Sequence, residues 1–445
     1  MITDHSLNSG LLAQVKASRH SAQILARLSP EIRHNALLAM ADAIDAFSSE
    51  ILQANQQDQE TAREMVTKGE LSPSAFARLK LDPLKIQGMV TSIREVVRLP
   101  DLLRKPHYRR ALDEGLVLER WPVPLGVIGV IFESRPDALT QITSLTLKTA
   151  NSVLLKGGRE ALNSCKALTA AIHHGLKTIP EFPLEAVTLL TTREEIKALL
   201  SLEEWVDLIV PRGSKAFVQY IQANTTIPVL GHADGICHLY VDAAADLTKA
   251  IDLTVDAKVQ YPSACNAIET LLVHQGIASK FLPAVAAALQ DKGVELRGCD
   301  VTRQWIPVKL ATDQDWQTEY GDLILSIKVV SSLQEALRHI EQYGSRHTEA
   351  IVTEDKTVAQ EFLRSVDAAG VFHNASTRFS DGYRYGFGAE VGISTQKLPP
   401  RGPVGIEGLL TYKYLLQGEG QVVSTYSGSQ ARPFRHQELP EEEGL

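Results

Sequence analysis

Four cysteines are the residues of this chain best suited to covalent chemistry. Cys165, Cys237, Cys265 and Cys299 are widely spaced and form no CxxC pair, which argues against a zinc cluster and against a disulfide framework. Cys265 lies in Ser263-Ala264-Cys265-Asn266, small and polar residues just ahead of the apolar run Ile268 to His274. Loop residues at such a junction can face a cleft. A thiolate there attacks carbonyl carbon directly, where a serine would need a paired base. On residue type alone, a single cysteine is more often a buried inert thiol. Cys165 falls in a helical pattern, Cys237 alternates with His238 along a strand pattern, and Cys299 sits in a polar turn, so these three read as structural.

Two turns could hold an anion. Lys156-Gly157-Gly158-Arg159 follows the apolar run Val153 to Leu155 and precedes a helical pattern, and Pro211-Arg212-Gly213-Ser214 repeats the arrangement after Leu208 to Val210. Neither is the GxGxxG fingerprint, and either could be a plain turn. Together they suggest one anion-rich ligand at the carboxyl edge of a parallel sheet, with Lys156 and Arg159 favouring a 2'-phosphate and hence NADP over NAD. In Glu133-Ser134-Arg135-Pro136, Arg135 could clamp a carboxylate or phosphate, or be a solvated loop arginine. The stretch from Arg378 to Arg401, with three arginines and Glu390, suits a polar anionic substrate or an ordinary surface loop equally. His339, His347 and Glu349 match no HExxH spacing, so no metal is expected, and a helix from Leu333 to Tyr343 ending at Gly344 is the plainer account.

The elements that must position these residues follow from the patterning. A chain of 445 residues, 44% hydrophobic and 22% charged, should fold into two or three domains. Its formal net charge of -8 disfavours nucleic acid as a partner. Its start carries no basic-then-apolar leader and no apolar run approaches ~20 residues, so a cytoplasmic protein without a membrane span is expected. Two helices are expected between Leu11 and Met65, another after Ser72-Pro73, and an amphipathic one through Ile86, Val90, Ile93 and Val97. From Leu125 onward strands and helices alternate: strands at Leu125 to Phe132, Val153 to Leu155, Val187 to Leu190, Leu208 to Val210 and Ile236 to Val241, helices at Ala138 to Lys148, Ala161 to Leu176, Arg193 to Leu200 and Lys215 to Ala223. A second series runs from Ile268 to Asn374, and Asp256 to Asn266 reads as the crossing between domains. The pattern predicts α/β architecture with doubly wound parallel sheets. Beyond Gln421 the periodicity fades into a mobile acidic tail.

The stretch Val330 to Ile351, with Ala336-Leu337-Arg338-His339-Ile340, Tyr343-Gly344-Ser345 and His347-Thr348-Glu349, resembles the signature of the gamma-glutamyl phosphate reductase family, a branch of the aldehyde dehydrogenase superfamily. Gly126 to Pro136, Lys156-Gly157-Gly158, Gly231 to Asp242, Ser263 to Thr270, Phe387 to Ser394 and Arg401 to Gly405 match in the same order. The resemblance implies an aldehyde-dehydrogenase-like fold: a cofactor domain over 1–105 and 125–255, a catalytic domain over 256–401, and a β projection for oligomerisation from 106–124 and 402–421, with 422–445 as tail. It also implies NADP(H) as cofactor and reduction of L-glutamate 5-phosphate to L-glutamate 5-semialdehyde in proline biosynthesis. Cys265 would be the thiol, Lys156 and Ser214 cofactor residues, and Glu319 a ribose ligand.

Two departures from the wider superfamily matter. The glutamate of the aldehyde-oxidising Glu-Leu-Gly-Gly stretch is missing from Leu230 to Ile236, which fits release of the acyl group by hydride and not by water. The usual oxyanion Asn-Pro is replaced by Ser134-Arg135-Pro136, leaving Ser134 and Asn266 as candidates beside the Cys265 amide. Substrate-binding candidates are Arg135, Arg378 and Arg401; cofactor candidates add Gly157, Gly158, Arg159 and Gly213. The implied partners are the small substrate, further copies of the chain and, transiently, glutamate 5-kinase. The alternative is a related acylating dehydrogenase using another acyl phosphate or an acyl-CoA.

Overall fold

The computed structural model describes residues 3–192, 194–231 and 234–440. Arg193 of an expected helix, His232 and Ala233 of the glutamate-less stretch, and residues 441–445 of the expected tail lie outside them. Helices Thr3–Leu25, Pro30–Ala46, Ser48–Thr67, Pro73–Leu79 and Pro83–Arg98 open the chain. Three of them start on a Ser-Pro or Asp-Pro pair, in which Ser29, Ser72 and Asp82 accept the amide hydrogens of Ile32, Ala75 and Lys85. Each such cap is worth ~1 kcal/mol, and the proline gives up no helical hydrogen bond. The expected pair of helices before Met65 is in fact three, because the backbone turns at Phe47 (φ -95°, ψ 18°), which ends one helix and starts the next.

Two parallel sheets follow. The first has the order Val187–Leu189, Ser152–Gly157, Val127–Phe132, Leu208–Arg212. Its two central strands are buried at every residue, as expected of strands covered by helices on both faces. The second has seven strands in the order Lys309–Leu310, Glu295–Gly298, Ile324–Val330, Ile268–His274, Cys237–Val241, Thr348–Val352, Gly370–His373, all parallel.

This topology moves the domain boundaries expected from the sequence. Cys237–Val241, placed with the first series, pairs with Ile268–His274 and Thr348–Val352 in the second sheet. Helix Leu247–Val259 packs Ala250 and Ala257 into the same core. The crossing therefore lies before Cys237, and Asp256 to Asn266 is the end of helix Leu247–Val259 and the loop after it, inside the second domain. Nor does that domain run on to 401: Ala389, Val391, Val404, Ile406 and Leu409 are buried in the core of the first. An apolar run shows that a strand is buried but not which neighbours bury it.

The projection is a four-stranded antiparallel sheet in the order Leu410–Gln417, Leu116–Pro124, Tyr108–Asp113, Gln437–Glu438. Residues 402–409, expected in it, pack against the first core instead. The expected mobile tail is docked along the projection as far as it is described. Buried Asp113 accepts hydrogen bonds from Tyr426 Oη (2.9 Å) and Arg432 Nη2 (2.9 Å), and the amides of Arg435 and Leu439 donate to Leu112 and Arg109. Unpaired, Asp113 would be costly in the folded chain, so the tail and the turn at residues 113–115 fold onto each other.

In helix Leu333–Tyr343, His339 is packed among Trp316, Tyr343 and His238. Burial, with His238 and Lys328 beside it, holds its proton affinity down to about 2. The unfolded chain therefore takes up a proton here that the folded chain does not, as pH falls below the ordinary histidine range near ~6.5. Stability to urea should fall as pH drops from about 6.5 toward 4, and His339→Phe should flatten that limb; an unchanged slope would remove His339 as its source.

Candidate active site

Cys265 sits in the loop between helix Leu247–Val259 and strand Ile268–His274. Asp246 caps the helix on the Lys249 amide, and turn hydrogen bonds Ala264 N to Tyr261 O (3.1 Å) and Ala267 N to Ala264 O (2.9 Å) shape the loop. Its two stems are tied below by a fully buried ion pair: Lys258 Nζ donates to Glu269 Oε2 (2.7 Å) and to Ile268 O (3.0 Å). Burial outweighs the attraction of Lys258 and pushes Glu269 up to about 7. From the other side, the segment entering Cys237–Val241 presses on the loop. A Cβ at Gly235 would stand 2.2 Å from Cys265 O and 2.6 Å from its Cα, so only glycine fits.

The four thiols differ sharply. Cys165 and Cys237 are fully buried, and burial pushes both far above the ordinary thiol range; Cys237 donates to Cys265 O (3.3 Å). Cys299 is engaged with Thr302 Oγ1 (3.3 Å). Cys265 is partly exposed, and its Sγ lies 3.2 Å from His347 Nε2. His347 is fully buried, with Nδ1 2.8 Å from Thr348 Oγ1, so its ring is oriented on both sides. A thiol beside an imidazole can pass it a proton and become the nucleophile. His347 was visible in the sequence as part of a motif weighed for metal and of the signature-like stretch from Val330 to Ile351, with no catalytic role read for it. Its partner is 82 residues away, and nothing in the local spacing pointed to it. The other members of that motif go elsewhere: Glu349 bonds the His238 ring and amide (3.0 and 2.7 Å), and His339 joins the aromatic group described above.

The two glycine turns flank the end of strand Val127–Phe132 at the carboxyl edge of the first sheet. Register pairs Phe132 with both Gly157 and Arg212, so the loops after all three strands emerge at one level. At Ser214, which opens helix Lys215–Ala223, the amide donates to the Glu133 carboxylate (3.1 Å), and a Cβ at Gly213 would meet that carboxylate at 2.5 Å. The turn thus already receives an anionic oxygen, as a helix start does, and Lys156 stands two strands away, across Val127–Phe132. These residues fit a dinucleotide phosphate. Lys156 is buried, which lowers its proton affinity, while Cys165, Glu195 and Glu160 act the other way. Arg159 is exposed and paired with Glu70. Gly158 leaves room for the Glu160 carboxylate, which a Cβ there would meet at 2.1 Å.

The remaining candidates are dispersed. Ser134 has φ 50°, a strained setting for a residue with a Cβ, and both its amide (2.6 Å) and hydroxyl (3.0 Å) donate to Glu160 Oε1. Its hydroxyl is therefore committed away from Cys265. Asn266 Nδ2 donates to Ser380 O (2.7 Å), tying the cysteine loop to the 378–384 segment, and its Oδ1 is buried without a partner. The same segment brings Arg378 to Gln260 (2.9 Å) and over the Tyr261 ring (5.8 Å). Arg401 is instead bound to Asp367 (2.9 Å), which Lys397 also holds (2.9 Å). Glu319, half-buried, lies two residues before Gly321, whose amide donates to Glu269 Oε1 (3.2 Å). Among the described residues no group of three metal-binding side chains occurs, and no helix is long and apolar enough to cross a membrane.

The chain matches the model of the aldehyde dehydrogenase family over residues 9–298. It is 64% identical to a gamma-glutamyl phosphate reductase of Synechococcus sp. (strain JA-2-3B'a(2-13)), covering 98% of this chain and 96% of the relative. With gamma-glutamyl phosphate reductase 1 of Synechocystis sp. it shares 56% identity over 99% and 100% of the two chains. The crystal structure of the gamma-glutamyl phosphate reductase of Thermotoga maritima superposes with a TM-score of 0.89 at 42% identity, covering 93% of this chain and 99% of that one.

The thiol geometry yields a direct test. Iodoacetamide at neutral pH should label Cys265 before Cys165 and Cys237, as read by mass spectrometry of the peptides. His347→Ala should slow that labelling on the order of tenfold or more. An unchanged rate would take His347 out of the site.

Proposed function

Because the chain belongs to the aldehyde dehydrogenase family, within its gamma-glutamyl phosphate reductase branch, we propose that it reduces L-glutamate 5-phosphate to L-glutamate 5-semialdehyde with NADPH. The observation that carries this reading is the contact of Cys265 Sγ with His347 Nε2, at the one thiol that is both partly exposed and next to a base. The full-length likeness to named reductases supports the substrate.

In this reading His347 takes the Cys265 proton as Sγ attacks the acyl carbonyl. The S–C bond forms, the C–O bond to phosphorus breaks, and inorganic phosphate leaves with the electron pair of that bond. Phosphate leaves readily, so the step asks little acid catalysis of the protein. The acyl group is then held as a thioester on Cys265. The hydride that reduces this thioester would come from a reduced nicotinamide held by the residues named below. As the carbonyl re-forms, the S–C bond breaks, the aldehyde departs and the thiolate recovers its proton from His347. The Cys265 backbone amide is the oxyanion donor of this reading, since the Ser134 hydroxyl is held by Glu160 and Asn266 Nδ2 is turned to Ser380 O. Lys156, Gly157, Gly158, Gly213 and Ser214 would hold the cofactor phosphates, and Glu319 the ribose near the nicotinamide.

The absence of glutamate between Leu230 and Ile236 supports release by hydride. An aldehyde-oxidising enzyme must activate water at this stage, and a reductase is better served by a site that does not. Asp234, the one carboxylate in that stretch, is engaged by Lys215 (2.7 Å). The product's amino group can close onto its own aldehyde, which supports a role in proline biosynthesis, and on this reading the enzyme works in the cytoplasm.

The reaction is most easily followed in reverse, as phosphate-dependent reduction of NADP by the semialdehyde. Cys265→Ala should abolish it, and persisting turnover would refute the thioester. Lys156→Ala should raise the KM for NADP more than that for NAD. Arg159→Ala should do the same if its pairing with Glu70 yields to the 2'-phosphate. Equal changes for both cofactors would reject a 2'-phosphate site.

A further inference from the structure

Residues 380–390 touch both halves of the site. At one end they are fastened to the thiol loop. Asn266, next to Cys265, donates through Nδ2 to Ser380 O (2.7 Å). Just before that point Arg378 Nε donates to Gln260 Oε1 (2.9 Å), with its guanidinium over the Tyr261 ring (5.8 Å). At the other end Glu390 is ion-paired with Arg212 (3.7 Å), the residue ahead of the Gly213-Ser214 turn, and Ala389 and Val391 on either side of it are buried in the first core. Arg212 is itself tied to the neighbouring Glu133-Ser134-Arg135 loop, since the Glu133 amide donates to Arg212 O (3.0 Å).

Between these ends the segment closes on itself. Asp381 Oδ1 accepts the amide hydrogens of Tyr383 (3.0 Å) and Arg384 (3.1 Å), Asp381 O accepts that of Tyr385 (2.9 Å), and Gly382 O accepts that of Phe387 (2.8 Å). The two stems meet at Gly382 and Glu390. The Gly382 amide donates to Glu390 Oε2 (3.0 Å), and a Cβ on Gly382 would stand 2.8 Å from the Glu390 Cβ, so only glycine fits. Tyr383, Tyr385 and Phe387 are exposed, so the loop has little packing to hold it in place. A loop built in this way moves as one piece, and Glu390 decides where that piece sits. One of its carboxylate oxygens holds the far stem, and the other faces the arginine at the glycine turn.

We propose that Glu390 is a positioning residue that couples the Gly213-Ser214 turn to Cys265, with residues 380–390 as the strap between them. This rests on the reading of that turn as the seat of a cofactor phosphate, and it adds how the thiol registers that the seat is taken. A phosphate arriving one residue from Arg212 competes with Glu390 for the guanidinium charge. The change at Glu390 reaches Gly382 through the same carboxylate, Ser380 through the stem, and the Cys265 loop through Asn266. The reaction has a use for such a link. A thioester formed before the hydride donor is in place is open to water, which would waste the acyl phosphate. A thiol that is set for attack only once the cofactor is seated avoids that loss.

Alkylation of Cys265 by iodoacetamide, followed with and without saturating 2',5'-ADP, tests the strap. That probe carries the phosphates of the adenosine half of NADP and no nicotinamide, so it fills the turn without covering the thiol. In the wild type it should change the alkylation rate on the order of fivefold or more, the usual range for coupled sites. Glu390→Gln keeps an acceptor for the Gly382 amide but removes the charge facing Arg212, and there the two rates should draw together while calorimetry still shows the probe bound. Asn266→Ala cuts the strap at its other end and should lose the response in the same way, and it carries the test if the first variant does not fold. The ratio of the two rates is the readout, because a general loosening of the loop alters both alike. Either severed variant, if it binds the probe and keeps the wild-type ratio, overturns the strap. A wild type that binds the probe with no change in rate does so too, and in both cases the reaction stands. A wild type that does not bind the probe rejects the cofactor reading on which the strap rests.

Discussion

The architecture of the site depends on a single ion pair that no solvent reaches. Lys258 and Glu269 are both fully buried, 2.7 Å apart, at the two stems of the loop that displays Cys265. The loop is made of small residues and has little packing of its own. Its shape is set by the stems, by Cys237 beneath Cys265 O and by Asn266 reaching Ser380. The pair gains from having no spare lone pair nearby left idle: Lys258 also donates to Ile268 O, and Glu269 also accepts the Gly321 amide. Removing either partner would strand a charge in the core, at a cost of ~3–5 kcal/mol. That Gly321 contact extends the hold to Glu319, so thiol and candidate ribose ligand hang from one buried point.

Around this point the chain crosses twice between its two cores. The first crossing lies before Cys237 and brings Gly235 against Cys265. The second brings the chain back after the 378–384 segment, to bury Ala389 and Val391 in the first core. The thiol is mounted on one sheet and the phosphate turns on the carboxyl edge of the other. Their separation is set by these two crossings and not by any one helix or strand.

Much of this was legible in the chain. Strands buried on both faces announce themselves as apolar runs, and Ser-Pro pairs mark helix starts, so the series from Val127 to Gly370 and helix Leu333–Tyr343 were readable within a residue or three. What escaped was non-local. Nothing in Cys237–Val241 says which sheet it joins, because either would bury it equally. Lys309–Leu310 is a short edge strand and Glu295–Gly298 the short strand beside it, carrying Lys309 and Arg297 and polar enough to pass for loop. Among the site residues, Cys265 could be singled out by its small neighbours, and the two glycine turns by their repetition. The commitments of Ser134 to Glu160 and of His347 to Cys265 are contacts across the fold, invisible to spacing.

The docked C-terminal segment has a bearing on how copies of this chain can meet. A β-sheet is extended by adding strands at its exposed sides, and the projection would offer two such sides if the chain stopped at Gln417. Gln437–Glu438, with the Arg435 and Leu439 amides, covers the side formed by Tyr108–Asp113. The side formed by Leu410–Gln417 stays open and shows Tyr412, Tyr414 and Leu416 to solvent. Because Gln437–Glu438 pairs only with Ala111 and Arg110, it shields the middle of that side, and Leu410–Gln417 is left as the longer open edge of the projection among the described residues.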